Sequence, residues 1–116
     1  MSTDISTECT KFTCPDCGGA IERITEGGLV QYRCRIGHQY SPESALAVHC
    51  DREENTLWTA VVLLEEGAEL AEEIARLEDN AGAEELRRSA AAKRDLAKRV
   101  RDVVLDLPKV AQTADT

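Results

Sequence analysis

Residues 33–44 read RCRIGHQYSPES. Cys34, Gly37 and His38 crowd together, and Ser41-Pro42-Glu43 follows at once. Ser41 can accept a hydrogen bond from a first-turn amide that has no partner inside a helix, and Pro42 suits the first helical position, where no N–H is needed. Glu43 puts negative charge at the positive end of the helix dipole. This stretch therefore joins half of a metal site directly to the start of a helix. The other half lies upstream as Cys14-Pro-Asp-Cys17-Gly18, with sixteen residues between Cys17 and Cys34.

Structural zinc takes four thiolate or imidazole ligands in a tetrahedron. A Cys-x-x-Cys turn supplies two from one tight loop, stiffened here by Pro15, with Gly18 free to turn the backbone behind the second sulfur. The second turn repeats the plan with Gly37 and ends on His38. Between the two turns, "AIERI" and "LVQYR" alternate apolar and polar residues around Gly27-Gly28, the pattern of a β-hairpin. One hairpin then brings Cys14 and Cys17 beside Cys34 and His38, predicting one structural Zn2+ in a zinc ribbon. His38 is favoured as the fourth ligand, with Cys9 and the pair His49-Cys50 as alternatives. Cys9 reads as a thiol in a mobile arm, and Cys50 as a small hydrophobe on an apolar stripe.

The totals agree. The chain has 116 residues, five cysteines and only four aromatic side chains, Phe12, Tyr32, Tyr40 and Trp58. So small a unit buries little apolar area and needs a staple. The opening MSTDISTE has neither a basic nor an apolar run, so a cytoplasmic, reducing setting is expected, where clustered thiols bind metal more often than they form disulfides. The longest apolar run, Leu57–Leu64, is too short for a membrane span. The formal net charge of −8 argues against nucleic acid as the main partner, because phosphate neutralisation needs a basic surface.

Four stretches are expected: a mobile arm over 1–10, the zinc ribbon over 11–40, a helical hairpin over 41–107 and a flexible tail over 108–116. The fold class is a small α+β protein. Apolar residues recur at helical spacing at Leu46, Cys50, Leu57, Ala60/Val61, Leu64, Ala68, Ala71, Ile74/Ala75 and Leu77, then at Leu86, Ala90, Ala97, Val100, Val104 and Leu107. Asn80 and Gly82 mark the turn, and Pro108 ends the second helix. The polar stretch 49–56 and Gly67 are the expected places for a kink in the first helix. From Asp51 to Asp79 there are ten acids and two bases, and from Ala83 to Leu107 five acids and seven bases. Such opposed charge favours antiparallel pairing in one register, although each exposed pair contributes only about 0–1 kcal/mol.

FTCPDCGG, GGLVQYRCRIGHQYSPESAL and the later Leu57-Trp58 together resemble the C-terminal extension of some bacterial proteins of the chemotaxis methylesterase (protein-glutamate methylesterase) family. The resemblance runs residue by residue from Phe12 to about Trp58, and beyond that only in helical character. It implies that Cys14, Cys17, Cys34 and His38 are metal ligands and that Ser41–Ser44 start a helix. The family's catalytic domain carries a Ser-His-Asp triad. This chain has two histidines and no Gly-x-Ser-x-Gly. The resemblance therefore implies an accessory module in bacterial signalling, and no enzyme.

The expected function is a non-catalytic protein-interaction module. Leu57, Trp58, Val61, Val62 and Leu64 are expected to form its interaction surface, because the run is apolar almost all round and one hairpin can cover only part of it. The occupant would be a second copy, giving a homodimeric four-helix bundle, or another protein. Otherwise Trp58 would pack near Phe12 or Tyr40. The alternatives are a nucleic-acid-binding regulator using the basic second helix, and a thiol redox or metal sensor.

Overall fold

The structure, a computed structural model, describes residues 4–78 and 81–109. Its elements are β1 (Ile5–Thr13), β2 (Ala20–Glu26), β3 (Leu29–Cys34), β4 (Gln39–Tyr40), α1 (Pro42–Glu78) and α2 (Ala81–Leu105). The chain is a small α+β protein, with an antiparallel sheet at its N-terminal end followed by two long helices packed as a hairpin. It divides into two units between Arg52 and Glu53. Asp79 and Asn80 of the expected turn, and 110–116 of the expected tail, lie outside the described residues. Among the described residues no helix is long and apolar enough to cross a membrane.

The sheet is a meander ordered β1-β2-β3-β4, all antiparallel. The β2–β3 hairpin turns at Gly27 and Gly28, with φ of +58° and +84°. Two successive positive φ values give a turn whose twist matches the flanking strands. Residues 5–10, expected as part of a mobile arm, instead belong to β1 and pair along β2 from Ile5↔Glu26 to Cys9↔Glu22. Their side chains are almost all exposed. Backbone hydrogen bonding and cross-strand pairs such as Glu8–Arg23 (3.0 Å) hold this strand, so it lacks the half-buried alternation that marks a strand in sequence. The register shifts between Cys9 and Thr13. There the Thr10 hydroxyl donates to the Ile21 carbonyl (2.6 Å) and accepts from the Phe12 amide (3.1 Å).

The buried cluster of this unit is Cys14, Ile21 and Cys34, with Tyr32 and Tyr40 packed against it. Two of its three buried side chains are cysteines. Burying one Ile contributes about 1.5–3 kcal/mol, whereas ordering even ten residues costs about 10–20 kcal/mol of backbone entropy. Apolar burial alone does not hold this ribbon.

Helix α1 starts as expected: the Ser44 amide donates to Ser41 Oγ at 3.1 Å. It runs from Pro42 to Glu78 as one helical element, with no break at 49–56 or at Gly67. At Gly67 the Lys93 stem lies close. A Cβ at that position would stand 3.2 Å from Lys93 Cε.

In the helical hairpin the buried residues are Val61, Ala68, Ala71 and Ala75 of α1 and Ala83, Ala90, Ala97 and Val104 of α2. Those of α2 recur every seven residues, as do Val61, Ala68 and Ala75. A seven-residue repeat returns to nearly the same face of a helix with 3.6 residues per turn. Small side chains along both seams let the helices approach closely. Across one edge of the seam Arg94 binds Glu72 through two hydrogen bonds (2.6 and 3.2 Å), and Arg101 binds Glu65 (2.8 Å). The charge split read from sequence is thus realised as register-setting cross-helix pairs.

Two expectations need correction. Leu46 and Leu77, placed on the buried stripe, are 51% and 77% exposed. Val61, assigned to an interaction surface, is 1% exposed. Val61 lies two turns before Ala68 and so falls in the alanine seam, on the side of α1 that α2 covers. Of the other residues assigned to that surface, Val62 is exposed, while Leu57, Trp58 and Leu64 are half-buried.

Candidate metal centre

Each half of the site is a tight turn at the end of a strand. In the first, the Cys14 amide donates to the Gly19 carbonyl (2.7 Å) and the Gly18 amide to the Cys14 carbonyl (2.8 Å). In the second, the Cys34 amide donates to the His38 carbonyl and the Gly37 amide to the Cys34 carbonyl, both at 3.1 Å. Gly18 and Gly37 have φ of +76° and +114°. A side chain is disfavoured in this region of backbone space, and the glycines let the chain curl so that its amides face sulfur.

The two turns meet because Ile21, just past the first, is the register partner of Cys34. Cys14, Cys17, Cys34 and His38 offer four ligand atoms that all lie within 4.8 Å of one another. The Cys17 and Cys34 sulfurs are 3.7 Å apart, and His38 Nδ1 lies 3.3 Å from the Cys34 sulfur and 3.6 Å from that of Cys14. Ligands about 2.0–2.3 Å from a tetrahedral ion stand roughly 3.5–3.8 Å from each other. The four side chains therefore fit one metal ion, with His38 presenting Nδ1.

The surroundings favour thiolate at Cys34 and Cys14. Burial pushes the Cys34 thiol up, but the amides of His38, Gly37 and Ile36 and the Cys17 side chain outweigh it and bring it down to about 6. For Cys14, too, burial raises the thiol, and the amides of Cys17 and Asp16 with the Tyr40 hydroxyl lower it further than burial lifts it. The Gly19 amide lowers Cys17, but desolvation and the sulfurs of Cys14 and Cys34 leave it above its ordinary value. His38 is raised, chiefly by Cys34. The lowered thiols and the raised imidazole both report an anionic cluster that attracts a cation, and a metal must displace the proton from His38 to bind there.

Outer groups hold the ligands in place. Tyr40 OH lies 3.7 Å from the Cys14 sulfur and donates to the Asp16 carboxylate. Burial and both of these contacts raise the Tyr40 phenol, keeping it protonated. Arg52 Nη1 donates to the carbonyls of Cys14 and Pro15 at 3.3 and 3.2 Å.

All four ligands expected from sequence are brought together. Cys9 sits exposed on β1 and Cys50 half-buried on α1. Among the described residues neither they nor His49 belong to any group of three or more potential ligands. Tyr40, Asp16 and Arg52 were not legible as site residues. The signals were faint: an aromatic two residues after His38, and a lone base in an acidic stretch. Compared with family models, with curated proteins and with solved structures, the chain has no match.

Proposed function

We propose that this chain is a non-catalytic protein-interaction module whose ribbon is held by one structural zinc ion, serving as an accessory or adaptor in bacterial signalling. The observation that carries the reading is the closed ligand set, four protein donor atoms within 4.8 Å of one another. Three thiolates and an imidazole in a tetrahedron suit zinc better than the oxygen-seeking ions. A fully protein-coordinated ion leaves no position for water or substrate, so its contribution is folding energy. The signalling setting is supported by the likeness of Phe12–Trp58 to the methylesterase extension. Engagement of Arg94 and Arg101 with Glu72 and Glu65 counts against a basic face for nucleic acid.

Native mass spectrometry of protein purified without chelator tests the metal. One zinc per chain, with loss of ribbon structure on chelation, is the expected result. A folded ribbon without metal would sink the reading. The interaction role is tested by crosslinking in the host cell: the partner set should shrink in Cys34→Ser, and an unchanged set would argue against a zinc-dependent module.

A further inference from the structure

No leucine is buried among the described residues, and the largest fully buried side chains are Val61 and Cys14. The hairpin is closed chiefly by alanines, with Leu86 packed against them, while most of its leucines are exposed. On α1, Leu63, Leu70 and Leu77 are 61%, 59% and 77% exposed; on α2, Leu96 and Val103 are 41% and 55% exposed. Each set recurs every seven residues and so forms a stripe along its helix.

The two stripes lie on one side of the hairpin. On α1, Leu63 and Leu70 flank Gly67 at spacings of four and three, so they share its side of the helix. On α2, Leu96 and Val103 follow Lys93 by three and ten residues and share its side. The Lys93 stem lies across Gly67, so these two sides adjoin. The ion pairs Glu72–Arg94 and Glu65–Arg101 occupy the other edge of the seam. The hairpin thus has one ion-paired face and one open apolar face.

We infer that a second copy of this chain covers that face, giving an antiparallel four-helix bundle; this rests on the reading of the chain as an interaction module and names its partner. Charge decides the occupant. On the outer flank of the α1 stripe stand Glu66 and Glu73; on that of the α2 stripe stand Arg88 and Arg99, with Glu85 near its start. Arg99 also carries an exposed pair to Asp95 of its own helix (3.3 Å), which an intermolecular partner would share. A two-fold axis along the helices lays each α1 on the other copy's α2. The cross-helix pairs place α1 position 66 level with α2 position 100. The axis then sets Glu66 of one copy beside Arg99 of the other, and Glu73 within about a turn and a half of Arg88. The level pair Glu66–Arg99 is thereby repeated on both sides of the axis, as an isologous interface requires.

The test is sedimentation equilibrium of the full, metal-loaded chain from about 1 to 100 µM, with helicity checked by circular dichroism. Wild type should be dimeric at the upper end. Leu70→Glu and Leu96→Glu should each raise the dissociation constant at least about tenfold. Leu105→Glu, at a leucine more exposed than either but one turn after Arg101 on the ion-paired side, should leave it unchanged. Glu66→Arg and Arg99→Glu should each weaken self-association, and mixing the two should restore a heterodimer. A wild-type monomer carrying one zinc would overturn the inference and leave the zinc module standing. A dimer that survives the Leu70→Glu, Leu96→Glu double substitution would overturn it as well. A dimer of metal-free chains that the leucine variants abolish would support it while removing the zinc reading.

Discussion

Arg52, at the eleventh position of α1, donates to the carbonyl oxygen of Cys14 at 3.3 Å and grips the neighbouring Pro15 carbonyl as well. The helix that starts at the Ser41 cap therefore reaches back to hold the first metal turn. Three thiolates and an imidazole leave a net negative charge on a divalent ion, and the guanidinium sits where it offsets that charge. Outer contacts of this kind typically change metal affinity about 10–100-fold. Arg52→Ala should lower zinc affinity within that range, measured by chelator competition, with helical content unchanged. Arg52→Lys should recover only part, because an ammonium is a compact point charge without the planar fork. Unchanged affinity in Arg52→Ala would reduce the contact to a surface detail.

Metal release should depend on acid in a defined sense. Against its burial, amide donors bring the Cys34 thiol down to about 6, so its thiolate predominates above that pH and is lost below it. A metal bound to the thiolate competes with the proton and pushes the midpoint lower still. Zinc should therefore stay bound at pH 7 and be released with a midpoint below about 6, followed with a colorimetric chelator. A midpoint above 7 would mean that Cys17 and His38, which hold their protons more tightly than usual, govern release in place of Cys34.

The Glu72–Arg94 pair gives a second, independent pH signature. Hydrogen bonding to Arg94 holds the Glu72 carboxyl below its ordinary value. Its folded pKa lies below its unfolded one, so the stabilisation is present above the unfolded value and is lost as pH falls through the folded one. Glu72→Gln should thus lower the melting temperature at pH 7, and the difference from wild type should vanish by about pH 3. The effect at pH 7 should be small, since both side chains are partly exposed. A difference that grows on acidification would reverse the assignment.

Gly67→Ala sets helix propensity against space. Alanine in a helix interior is favoured over glycine by about 1 kcal/mol. The new Cβ would stand 3.2 Å from Lys93 Cε, and the long lysine stem can give way. We expect net stabilisation of up to about 1 kcal/mol in urea unfolding of the helical hairpin. Destabilisation would mean that the Lys93 stem and its 3.0 Å bond to Ser89 are fixed in place.

The sequence by itself determined the elements whose causes are local. Gly27-Gly28 between alternating runs specifies a hairpin. The Cys-x-x-Cys turn, Gly37 and the histidine after it specify the metal turns, because ligand type and backbone freedom are written in neighbouring residues. Ser41-Pro42 specifies where α1 begins. Tertiary structure alone decided what depends on pairing at a distance. Strand β1 was illegible because exposed side chains on an edge strand carry no alternation, and its partner lies beyond a turn. Arg52 joined the site only because α1 packs beside the first knuckle. The two faces of the hairpin were undecided for the same reason: leucine and alanine both satisfy a helical repeat, and only the packing of the two helices put Ala68, Ala75, Ala90 and Ala97 inside and left Leu63, Leu70, Leu77 and Leu96 exposed.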